Sequence, residues 1–171
     1  MRWLRPPTPP TVPNAATARI RGMATFFDID GANAALPELR TILETLRDER
    51  SQLIELRDEF ARQAALETAT PGRVPVEEPA DEPDDVSPGA EGRRRLRLRM
   101  QGVIDQMQAG VARIDELGVT LREIETGLID FPALVSGRQV WLCWRLGEGD
   151  VAFWHELSEG FGGRRELVDL A

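Results

Sequence analysis

The chain has one cysteine, one histidine and no lysine in 171 residues. A single cysteine excludes an internal disulfide and any zinc site built from several cysteines. A single histidine excludes every motif that needs two, HExxH among them. All 21 basic residues are arginine, which fits GC-rich coding better than a recognition chemistry. No stretch approaches the roughly 20 apolar residues of a membrane span. Phosphate-loop, Rossmann and nucleophile-elbow patterns are also missing. What is there is an acidic chain of net charge −8, with 42% apolar residues, enough for one core. The acidic balance argues against nucleic acid as a partner, because binding phosphates needs positive charge.

The charge is uneven. Residues 1–22 carry four arginines, no acid and five of the twelve prolines. They lack an apolar signal core, so they do not read as a secretory leader. The expectation is a disordered extension, or a translation start at Met23, with an arginine-bearing targeting segment as the weaker alternative. Residues 71–92 hold five prolines and seven acids against Arg73, and read as a solvated acidic linker. With no leader and no cysteine pattern, the expected location is the cytoplasm.

Two helical stripes flank that linker. In 31–67, within a first segment 23–70, Leu36, Leu39, Leu43, Leu46, Leu53, Phe60 and Ala64 recur at helical spacing. Asp30 is the expected N-cap, and Pro37 must kink or restart the helix. In 93–118, Leu96, Met100, Val103, Met107, Val111, Ile114 and Leu117 form the second stripe, with Gly118 as the C-cap. Arg93 to Arg99 lack interleaved aromatic residues and read as a helix start whose arginines face acids, rather than as a nucleic-acid patch. The pair predicts an antiparallel, coiled-coil-like helical hairpin.

Beyond Gly118 the period turns to alternation. Residues 119–171 read as a small sheet module with strands near 119–124, 128–131 (ended by Pro132), 139–146 and 151–157. A two- or four-residue turn across GEGD gives one hairpin register: Leu142 opposite His155, Cys143 opposite Trp154, Trp144 opposite Phe153, Arg145 opposite Ala152 and Trp141 opposite Glu156. That register turns Val140, Leu142, Trp144, Phe153 and His155 towards the helices. It turns Trp141, Cys143, Arg145, Trp154 and Glu156 outward. The fold class is therefore α+β, a long helical hairpin carrying a small antiparallel sheet.

The segment TGLIDFPALVSGRQVWLCWRLGEGDVAFWHELSEGFGGRREL closely resembles the C-terminal signature of the bacterial and archaeal family named domain of unknown function 2203. FFDIDGANAALPELR resembles the same family's N-terminal signature. The resemblance implies a shared fold and assigns no activity.

The candidate ligand-binding residues are Arg145, Trp154, His155, Glu156, Arg164 and Asp130, with His155 the one candidate general base. Arg145 and Arg164 are expected to approach each other near Glu156 and Trp154, leaving positive charge for a small anion. No metal is assigned: His155 and Glu156 are adjacent on a strand and point to opposite faces. Cys143 is set aside as a nucleophile, because the register puts it on the face opposite His155. The function expected is a structural or interaction module that homodimerises. The alternative is a small-ligand (anion) binding protein, or an enzyme, with its site on the sheet module; no cofactor is named.

Overall fold

The computed structural model describes residues 26–68 and 88–170, so the expectations for 1–22 and for most of the linker lie outside it. The first helix, α1, spans Ile29–Thr68. Its cap is Asp28, whose Oδ1 accepts the Gly31 N–H at 2.7 Å, two residues ahead of the expected Asp30. The helix runs through Pro37 as one element and does not restart there. The second helix, α2, spans Pro88–Glu116. It begins five residues before the expected 93, because proline suits a first helical position whose N–H has no intrahelical partner. The arginine-rich start serves the helix: Arg95 pairs with Glu91, and Arg97 lies 5.4 Å over the Phe60 ring. Gly118, at φ 78°, ends this hairpin arm as expected.

Forty helical residues run about 60 Å at 1.5 Å each. The sheet covers only part of that length, so the hairpin has two cores. One joins Leu36, Leu39, Leu43, Leu46 and Ile114 to the sheet. The other, around Leu56, Leu96 and Val103, is made by the helices alone. The helices come close at Gly110, where a Cβ would lie 2.9 Å from Leu46 Cδ2.

The sheet has five antiparallel strands in chain order: β1 Thr120–Glu123, β2 Leu128–Val135, β3 Arg138–Arg145, β4 Phe153–His155 and β5 Arg165–Glu166. The short β5 was not anticipated. β2 passes through Pro132 instead of ending there. The Pro132 carbonyl accepts the Phe27 N–H at 2.7 Å, so the missing proline N–H also faces that edge, away from β3, where no donor is required. At Gly127, φ is +64° and a Cβ would sit 2.5 Å from Leu146 Cβ. Gly127→Ala should therefore destabilise the fold by about 2–4 kcal/mol, combining left-handed strain with overpacking. A urea midpoint equal to wild type would show that this turn yields freely.

The β3–β4 register differs by one residue from the expected one. Trp141 pairs with His155, Leu142 with Trp154 and Cys143 with Phe153. The cause is the connection. Val151 N–H is taken by Asn33 Oδ1 at 2.7 Å, and Arg40 Nη2 donates to the carbonyls of Glu148 and Gly149. Residues 147–152 thus lean onto α1 instead of closing a tight hairpin. A slip of one residue exchanges the faces of β4. Trp154 joins Ile129, Phe131, Val140, Leu142 and Trp144 in the core against the helices, and His155 moves to the outer face with Cys143.

Candidate functional site

The corrected register gathers three buried polar residues on the outer face of the sheet. Asp130 on β2 lies directly opposite Cys143 on β3, and His155 on β4 sits diagonally beside Cys143. Their exposures are 2%, 0% and 1%. One oxygen, one sulfur and one ring nitrogen from these three lie within 4.8 Å of one another.

Hydrogen bonds orient the cluster. His155 Nδ1 lies 2.9 Å from the Glu156 carbonyl oxygen, which can only accept, so Nδ1 is the donor. Nε2 is left facing Asp130 Oδ2 at 3.2 Å. Arg122 Nε donates to the same Oδ2 at 2.6 Å, its guanidinium lying 4.9 Å over the Trp141 ring. Arg122 gets there through a bulge: two steps along β1, from Leu121 to Glu123, oppose one step on β2. Asp130 Oδ1 is buried and has no hydrogen-bond partner. Burial, and next the negative charge of Asp130, push the Cys143 thiol up to about 12. A thiol so disfavoured as thiolate is no free nucleophile at neutral pH.

A second cluster closes over this face from the C-terminal side. Arg164 donates to both Glu148 carboxylate oxygens, at 2.8 and 2.7 Å, and to the Cys143 carbonyl at 3.3 Å. Its guanidinium lies 4.1 Å over Phe153 and 4.8 Å over Phe161. Burial alone would raise the Glu148 carboxyl, but the bonds from Arg164 and from the Arg145 N–H outweigh it and hold the carboxyl below its ordinary value. Between the two clusters lies a cavity of about 280 Å³ lined by Arg122, Leu128, Asp130, Leu157, Glu159, Gly160 and Phe161.

The expected site residues are thus only partly together. Asp130 and His155 meet, and they meet Cys143, which the expected register had turned away. Arg145 and Arg164 do approach each other, both over Phe161, but around Glu148 and not Glu156. Glu156 pairs instead with Arg138 at 2.7 Å and Arg165 at 3.7 Å. Trp154 leaves the outer face for the core, its Nε1 donating to the Glu166 carbonyl at 3.1 Å. Arg122, Glu148 and Phe161 were missing from the candidates. Alternation along β1 hides Arg122, since a bulge is not written in the period.

The family model described as "Uncharacterized conserved protein (DUF2203)" matches residues 25–167. The chain belongs to this family. The match takes in both helices, all five strands and every member of the two clusters, as the resemblance implied. Neither a curated protein nor a solved structure matches the chain. The family description carries no activity, so what the outer face does rests on its own chemistry. Among the described residues, no helix is long and apolar enough to cross a membrane.

Proposed function

We propose that this family member is a small-ligand-binding module: the helical hairpin is the scaffold and the outer face of the sheet is the working surface. The observation that carries this reading is Asp130, a buried carboxylate with one unpartnered oxygen that also lines the cavity. A buried polar atom without a partner costs about 1–3 kcal/mol, a cost expected where a ligand completes the site. In the cavity lining Arg122 meets Asp130 Oδ2 and Arg165 bonds both Glu159 oxygens, while Arg164 is committed to Glu148, so no arginine is left over for an anion. The polar atom left for a ligand is the Asp130 Oδ1 acceptor, which favours a cationic, hydrogen-bond-donating or metal-bearing ligand over the small anion first expected. The cytoplasm is the proposed location.

Fragment screening by ligand-observed NMR tests the reading. Small cationic and chelating fragments should bind the wild type and be lost in Leu157→Trp, which fills the cavity from its rim. Binding that survives Leu157→Trp, or no binding to the wild type, would place the working surface elsewhere.

A second reading, homodimerisation, draws on a different surface. Phe26, Phe27, Ile29, Leu134, Val135 and Leu170 line an apolar groove of about 540 Å³ between the start of α1 and the far end of β2. Exposed apolar surface of this kind is often an interface. Under this reading a second copy of the chain covers it. Sedimentation velocity should show a dimer for the wild type and a monomer for Leu134→Arg; a monomeric wild type removes this reading and leaves the first untouched.

A further inference from the structure

We propose that Asp130, Cys143 and His155 form a binding site for one divalent transition-metal ion of the zinc class, with a coordination position open to the neighbouring cavity. The inference rests on the reading of the outer face as the working surface and names what that face holds.

Four observations carry it. First, the ligand types are right for such an ion and wrong for a hard one. Thiolate and imidazole select zinc, iron or cobalt, whereas calcium and magnesium sites are built from oxygen. Second, the atoms are close. They lie within 4.8 Å of one another, and metal bonds of about 2.0–2.3 Å require a further contraction of only an ångström or so. Third, the histidine is held as metal-bound histidines are. Its Nδ1–H is fixed on the Glu156 carbonyl, which leaves Nε2 pointing into the cluster. Asp130 is steadied in the same way by Arg122 on Oδ2, while Oδ1 stays unpartnered. Fourth, the ligands can offset the ion. A carboxylate and a thiolate supply two negative charges to a dication, and binding releases the Cys143 thiol proton to solvent. The one positive charge left over is that of Arg122, which lines the cavity.

The competing arrangement is a purely structural one. There His155 carries protons on both nitrogens and forms an ion pair with Asp130, with Cys143 as a small buried neighbour. Both arrangements place positive charge between Nε2 and the carboxylate. They differ in whether the sulfur takes part. The three strands also reach the site differently from a cysteine-rich zinc motif. The ligands come from adjacent strands of the sheet, Asp130 opposite Cys143 and His155 on the diagonal, and not from a short sequence spacing, so the single cysteine and single histidine of this chain suffice. Three protein ligands and one open position are the pattern of zinc sites that act on a substrate, and here the cavity lies beside Asp130.

The test uses the full chain, freed of metal by chelator and dialysis, and titrated with cobalt(II). The expected result is saturation at one equivalent with a thiolate-to-cobalt charge-transfer band, release of about one proton per ion at neutral pH, and loss of the band on adding zinc. Cys143→Ser should abolish the band, and His155→Gln should weaken cobalt binding by about 100-fold or more, beyond the usual effect of removing only a supporting partner. Near-ultraviolet circular dichroism checks that both variants keep the packed core; if either does not, Cys143→Ala and Asp130→Asn replace them. A wild type with no charge-transfer band, or cobalt binding that Cys143→Ser and His155→Gln leave unchanged, overturns the proposal in favour of the ion pair. The fragment experiment is read separately. Fragments lost in Leu157→Trp without any cobalt band would remove the metal and keep the ligand-binding surface. A cobalt band with no fragment bound would do the reverse.

Discussion

Trp144→Ala should cost about 3–5 kcal/mol, the range for truncating a large core aromatic. Trp144 is fully buried on the helix-facing side of β3, in one cluster with Leu39, Leu43 and Ile129. Its indole Nε1 donates to the Gly149 carbonyl at 2.9 Å, and the Arg40 guanidinium lies 4.7 Å over its ring. Alanine would open a cavity, remove the stacking surface from Arg40 and take one donor from the turn that Arg40 also grips. Chemical denaturation followed by circular dichroism measures the loss. A midpoint unchanged from wild type would mean that this face of the sheet is not the core.

The second large effect belongs to Glu148→Ala. Arg164 keeps only 10% of its side chain exposed, and Glu148 supplies both of its carboxylate partners. Removing the glutamate leaves a mostly buried guanidinium held by one carbonyl and two aromatic planes. The expected loss is about 3 kcal/mol, the low end for breaking a buried pair, because Glu148 itself remains 20% exposed. The pH dependence has a definite sign. The Glu148 carboxyl is lowered in the folded protein, so its contribution is complete above the unfolded carboxylate pKa and fades as pH falls through the lowered folded value. The stability gap between wild type and variant should therefore narrow in acid. A gap that stays constant from neutral to acidic pH would show that the lost packing, and not the charge, is what matters.

The helices were legible because a three- and four-residue apolar rhythm leaves little choice of buried face. Leu36, Leu39, Leu43 and Leu46 are core residues as that rhythm requires. The strands at 139–146 and near 153 were legible from their aromatic and β-branched content. The register between them was not. It is fixed by Asn33 and Arg40, which reach the turn from more than a hundred residues away. Local turn rules cannot contain such a contact. Because side chains alternate along a strand, that one-residue error carried His155 to the wrong face and parted it from Cys143. The candidate site inherited the same error: Asp130 and His155 were named, but their third member was discarded on a facing that the fold reverses. β5 pairs over only two residues, too few to leave a periodic signal.

The turn between β3 and β4 is held from both sides. Its backbone oxygens and the Val151 N–H are bound to α1, while the Glu148 side chain is bound to Arg164 in the segment that covers the outer face. Scaffold and cover therefore share one fastening, although they lie on opposite faces of the sheet. Local opening of the cover pulls on a turn that the long helix restrains. Helix, turn and cover are thereby joined into one cooperative unit of sub-global unfolding, and the edge of the cavity borrows its rigidity from a helix on the opposite face of the sheet.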